Sequence, residues 1–137
     1  MDENECNNLF VYGTLVDKNL FKELFKEEPL DARKGWLYAK LYDCGRFPMM
    51  LEDTTTKVYG IVYFFDFLKP LLPSIDRYEC CNKKKTHDAL YIRKMLDVVF
   101  NDGEAVKSWT YVGNVHSSFC KNNCVEKNLI AGGRWEL

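Results

Sequence analysis

Tyr91-Ile92-Arg93-Lys94-Met95-Leu96-Asp97-Val98-Val99-Phe100, then Asn101-Asp102-Gly103-Glu104, then Ala105-Val106-Lys107-Ser108-Trp109-Thr110-Tyr111-Val112 is the stretch that decides the fold. Two runs rich in β-branched and aromatic residues flank a short segment carrying Asp-Gly, the local signature of an antiparallel hairpin. Upstream, Val58 to Phe65 and Trp36 to Tyr42 also read as strands, the latter followed by the turn-forming Asp43-Cys44-Gly45-Arg46 and then Phe47-Pro48. Leu9-Phe10-Val11-Tyr12 is a short apolar run stopped by Gly13, as expected of a buried strand ending in a tight turn.

The period changes between these strands. From Lys18 to Glu28, Leu20, Phe21, Leu24 and Phe25 recur at helical spacing, and Pro29 stops the pattern. Asp66 stands where it can cap a second helix whose stripe is Leu71, Leu72, Ile75 and Tyr78. Pro70 fits only its first turn, and Pro73 makes it short or irregular. Ser117 to Asn128 predicts a third helix, and Gly132-Gly133 breaks the chain before Arg134-Trp135. Strands and helices intermix without the regular alternation of a doubly wound sheet, so the class is α+β.

The 137 residues suit one domain, read as a polar tail over 1–7 and a single unit over 8–137. Hydrophobic residues make up 47% and charged residues 28%, well away from disordered composition, and the 15% of aromatics favours strands. Nineteen basic against twenty acidic side chains leave a net charge of -1, which offers no general attraction for nucleic acid. Lys83-Lys84-Lys85 reads as a solvated loop. The start, Met1-Asp2-Glu3-Asn4-Glu5-Cys6, lacks the basic and apolar character of a signal peptide, and no apolar run approaches the roughly 20 residues that span a bilayer. The expectation is a cytoplasmic protein with no membrane partner, a monomer or weak dimer.

In that compartment the six cysteines are expected to be reduced thiols. His116, Cys120 and Cys124 are spaced by four and would share a helix face, a metal half-site with no second pair to complete four zinc ligands. Ordinary thiols are the simpler reading. Tyr12-Gly13-Thr14-Leu15 lacks the glycines and the Lys-Ser/Thr ending of a phosphate loop, and neither His87 nor His116 has a nucleophile-elbow context. Both histidines read as surface residues.

Two features point to chemistry. A strand stopping at Gly13 leaves the N–H groups of Gly13, Thr14 and Leu15 able to converge on a carboxylate or an oxyanion, although many such junctions merely turn. Glu79 follows an apolar helix, and a carboxyl in weakly polar surroundings rises toward the neutral pKa that acid/base work needs. Two units require only about 2.7 kcal/mol of differential burial. A solvated glutamate at a helix end is the competing reading.

Together, Val11-Tyr12-Gly13-Thr14-Leu15 and Ile75-Asp76-Arg77-Tyr78-Glu79 resemble the signature of the gamma-glutamylcyclotransferase-like family. Gly45-Arg46-Phe47-Pro48, Val58-Tyr59-Gly60-Ile61-Val62-Tyr63, Tyr91-Ile92-Arg93 and Gly132-Gly133-Arg134-Trp135 extend the match, and the length is nearest the small gamma-glutamylamine cyclotransferase-like branch. The resemblance implies a small mixed β-barrel with flanking helices, and a cofactor-independent, metal-free release of 5-oxoproline from a small gamma-glutamyl substrate. It further implies that Tyr12, Gly13, Thr14 and Leu15 bind and that Glu79 is the acid/base, with Tyr91 or Tyr111 lending a hydroxyl. The sequence departs from the family after Glu79, where a small residue is usual and Cys80-Cys81 stand instead. A non-catalytic barrel binding a small carboxylate or a protein partner is the alternative.

Overall fold

The computed structural model describes residues 6–81 and 89–136; the first five residues of the polar tail, Lys83-Lys84-Lys85 and His87 lie outside them. The hairpin is formed by β4 (Tyr91–Phe100) and β5 (Ala105–Gly113), with Tyr91 opposite Gly113 and Val99 opposite Ala105. Three earlier strands, β1 (Asn8–Val11), β2 (Asp31–Asp43) and β3 (Pro48–Phe64), join it in a closed barrel of order β1-β3-β2-β4-β5. All pairings are antiparallel except the last, a single parallel bridge between Leu9 and Trp109 that closes the cylinder.

β2 and β3 run well beyond the strand-like stretches read from sequence. Residues 48–57 of β3 escape a sequence reading because Glu52 to Lys57 are polar. The register jumps from Tyr38 opposite Lys57 to Ala39 opposite Glu52, so Asp53 to Thr56 form a bulge on β3. The Asp53 carboxylate accepts hydrogen bonds from the backbone N–H and hydroxyl groups of Thr55 and Thr56, which hold its carboxyl well below the usual range.

Alternation along the strands sorts the core into two clusters. Phe10, Leu37, Ala39, Leu41, Met50, Val58, Val62, Val98, Phe100 and Val112 pack together without any residue of a helix, and these fill the barrel. Leu9, Val11, Met49, Tyr63, Tyr91 and Tyr111 lie on the other face of the same wall and meet Phe21, Leu72, Ile75 and Cys120 from three flanking helices.

Those helices are shorter than the periodicity suggests. α1 (Lys18–Phe25) is capped by the Asp17 side chain, which accepts from the N–H groups of Asn19 and Leu20, and it ends at Lys26 with φ 59°. Phe21 anchors it edge-on against Tyr63, with ring centroids 5.3 Å apart. A 3-10 turn over Lys69–Leu71 leads into α2 (Leu72–Tyr78), so both prolines fall in first turns, where a missing N–H costs nothing. Asp66 caps neither. The segment is tethered instead by Asn7, whose side chain accepts from the Leu68 N–H at 3.0 Å and whose carbonyl accepts from the Phe65 N–H. Cys6 is buried beside it. α3 (Ser118–Asn123), capped by Ser117, stops at Cys124, and a separate 3-10 turn follows at Glu126–Asn128, dividing the expected single helix. Among the described residues no helix is long and apolar enough to cross a membrane.

Candidate active site

Against the outer face of β1, β4 and β5 the structure leaves a cavity of about 340 Å³, closed by the end of α2 and by the turns that follow β1 and precede β3. Tyr12, Gly13, Thr14, Leu15, Glu79 and Tyr91 all line it, as does Tyr111. Residues more than sixty positions apart in sequence therefore share one space.

One wall is the turn after β1. Thr14–Val16 forms a 3-10 turn in which Val16 donates to the Gly13 carbonyl. The N–H groups of Gly13, Thr14 and Leu15 have no protein acceptor among the described residues, as expected for the start of such a turn. The turn is held from behind: Tyr63 donates its hydroxyl to the Leu15 carbonyl at 2.6 Å, and Tyr12 donates to the Tyr111 carbonyl at 2.6 Å. Gly13 is required by close approach, since a Cβ there would stand 2.9 Å from Cγ of Pro48.

The opposite wall ends in Glu79. Its N–H still donates to Ile75, continuing α2 by one residue, and the chain then reverses through Cys80 at φ 52°. The left-handed conformation favours glycine, and here a cysteine occupies it. Glu79 keeps part of its surface open to the cavity, yet burial raises its carboxyl to about 7. Thr14 Oγ1 and the Tyr78 hydroxyl lie 3.0 Å apart and tie the two walls together.

The tyrosines complete the polar lining. Tyr91 donates to the Pro48 carbonyl at 2.5 Å and Tyr111 to Oδ1 of Asp76 at 2.5 Å. Burial pushes the phenols of Tyr12, Tyr91 and Tyr111 well above their ordinary range, and the nearby Glu79 carboxylate adds to the effect in each. All three stay protonated, with their protons directed into the protein, so the oxygens of Tyr91 and Tyr111 have only lone pairs left to offer the cavity.

The sequence model described as gamma-glutamyl cyclotransferase, AIG2-like, matches residues 9–137. The chain belongs to this family. Solved structures share the fold at low identity. Two Arabidopsis thaliana proteins known in solution, each 20% identical, superpose with TM-scores of 0.66 and 0.65, covering 100% and 84% of this chain and 73% of each relative. A protein named gamma-glutamyl cyclotransferase superposes with a TM-score of 0.60 at 14% identity, over 77% of this chain and 65% of its own. Among curated proteins nothing matches.

Family membership points to a cyclotransferase-type enzyme and gives the cavity its context. Arg46, Phe47 and Pro48, on the turn opposite Glu79, line the cavity too, although sequence reasoning used them only as supporting matches. Phe47 stacks on Phe119 of α3 at 5.6 Å. The half-site suggested by His116, Cys120 and Cys124 does not assemble: His116 is exposed ahead of α3, Cys120 is buried, and among the described residues no three metal-ligating side chains are placed to hold an ion. Cys124 instead lies near Cys120 and Cys44, and burial raises the thiol of Cys124 far out of the reactive range.

Proposed function

We propose that this gamma-glutamyl cyclotransferase family member releases 5-oxoproline and a free amine or amino acid from a small gamma-glutamyl amide, with Glu79 as general acid/base. The observation that carries the reading is a carboxyl raised to about 7 in the same cavity as the N–H groups of Gly13 to Leu15, which have no protein acceptor among the described residues. The substrate's alpha-amine attacks its own side-chain carbonyl, a C–N bond forms to close the five-membered ring, and the original amide C–N bond breaks. Glu79 takes a proton from the attacking ammonium and delivers one to the departing nitrogen, a double duty suited to a pKa near the working pH. Electrons and atoms balance without a redox cofactor, and the nucleophile comes with the substrate. Well-oriented intramolecular attack recovers about 7–11 kcal/mol of barrier, so folding the substrate and moving protons are the main tasks left to the protein.

The polar groups divide accordingly. The turn's N–H groups supply donors for the substrate carboxylate or the developing oxyanion, while Glu79 and the tyrosine oxygens supply acceptors for the ammonium. A panel of gamma-glutamyl amides assayed for 5-oxoproline tests the proposal. Glu79→Gln is expected to lower turnover by at least about 100-fold with folding intact. Unchanged turnover in that variant, or binding of every panel member without product, overturns it, the second outcome favouring a binding barrel.

A further inference from the structure

Asp76 lies three residues before Glu79 on α2, a spacing that puts both on one side of the helix. Its carboxylate accepts the Tyr111 hydroxyl and faces Nε of Arg93 at 3.4 Å, with only 15% and 10% of the Asp76 and Arg93 side chains exposed. Arg93 is an expensive residue to hold there. Among the described residues its Nε and Nη1 are buried without a hydrogen-bond partner, and its guanidinium sits 4.6 Å above the Trp109 ring. A cation that makes so few hydrogen bonds acts through its charge, which faces the Asp76 carboxylate in a poorly solvated place. A carboxylate facing a guanidinium offers the phenol an acceptor. Tyr111 donates to it.

We propose that Asp76 and Arg93 are positioning residues that fix the sense of the Tyr111 hydroxyl, so that its oxygen meets the cavity only as an acceptor for the substrate's alpha-ammonium. The proposal rests on the cyclotransferase reading above and adds how the amine is selected. With Tyr111 free to rotate, its O–H would point at the ammonium in some molecules and repel it. With the proton committed to Asp76, the cavity discriminates for the charged amine and holds it beside Glu79. Because Cys81 donates its N–H to the Asp76 carbonyl at 2.8 Å, the same residue also anchors the reversal that carries Glu79.

Turnover of a gamma-glutamyl amide by Asp76→Asn, Arg93→Lys, Arg93→Gln, Tyr111→Phe and the Asp76→Asn/Tyr111→Phe double variant tests it, with thermal midpoints recorded to establish folding. Asp76→Asn and Tyr111→Phe are expected to lower kcat/KM by on the order of tenfold each, mainly through KM, and the double variant to lose no more than either alone. Arg93→Lys, which keeps the charge, is expected to stay within about threefold of the parent while Arg93→Gln falls with Asp76→Asn. Losses that multiply in the double variant, or a Tyr111→Phe protein with parental KM, overturn the proposal. A second readout needs no turnover: thermal stabilisation by L-glutamine against glutaramic acid, the same molecule without the amine. Preference for L-glutamine that vanishes in Tyr111→Phe and Asp76→Asn sustains the proposal even if no 5-oxoproline forms, in which case the enzyme reading alone fails. Equal stabilisation by both ligands in the parent, or none by either, refutes it.

Discussion

The inner and outer faces of the barrel wall are made by the same strands, one residue out of step, and they are built to different standards. Inward, Leu37, Met50, Val58, Val62 and Val98 are fully buried aliphatic side chains packed against one another. Outward, Tyr91 and Tyr111 bring hydroxyls to an apolar surface, and the helices that cover it stop short enough to leave a cavity lined, among the described residues, by the single carboxyl group of Glu79. The inner face makes a rigid wall. The outer face gives up part of that rigidity to a group, Glu79, whose carboxyl is raised by burial to about 7.

Substitutions on the two faces should therefore separate stability from activity. The largest effect is expected from Leu37→Ala, which empties a fully buried inner position and should cost about 2–5 kcal/mol in denaturant unfolding, while activity per folded molecule stays near the parent's. Loss of activity beyond the loss of folded protein would break the division of labour. The outer face should reveal itself through pH. A carboxyl whose pKa rises from 4.5 to about 7 on folding binds its proton more tightly in the folded chain, so it favours folding below 4.5 and its contribution fades as the pH climbs through 7. Stability should fall by up to about 3 kcal/mol from this group between pH 4.5 and 8, and Glu79→Gln should flatten that slope. A slope unchanged in the variant would place the titration elsewhere.

Smaller effects test the turns. Gly13→Ala drives a methyl into Pro48 and should displace the N–H groups enough to lower kcat/KM on the order of tenfold, with little change in the unfolding midpoint. Cys80→Gly relieves a left-handed backbone and should stabilise the chain by about 0.5–1 kcal/mol in thermal or denaturant unfolding, without altering turnover.

Local chemistry carried much of this into the sequence. The hairpin was legible because Asp102-Gly103 demands a turn between two β-branched runs, and α1 because its apolar residues repeat at helical spacing. Residues 48–57 were not, since their pairing partner, β2, rather than their own composition makes them a strand. Asp66 looks like a cap, but Asn7 holds the segment that leads into α2, and a tether across sixty residues leaves no mark in spacing. The meeting of the Gly13 turn with Glu79 came from the family resemblance, because neither stretch alone rose above a turn and a helix end. Asp76 and Arg93 were visible only as members of motifs. Their contact, and with it the role of Tyr111, exists only once β4 lies beside α2.

The single parallel bridge between Leu9 and Trp109 gives the closed barrel a seam. Around that bridge the join relies on side chains: Thr110 donates to the Phe10 carbonyl at 3.0 Å, and Asn8 reaches the Lys107 carbonyl at 3.1 Å. Such a closure carries fewer ladder hydrogen bonds than the pairings of β2 with β3 or β4 with β5. Leu9 and Val11, beside that seam, also line the candidate active site. The sparsely bonded seam thus adjoins the floor on which the substrate would rest, and occupancy of the cavity should act as a rivet, slowing amide exchange along β1 and β5.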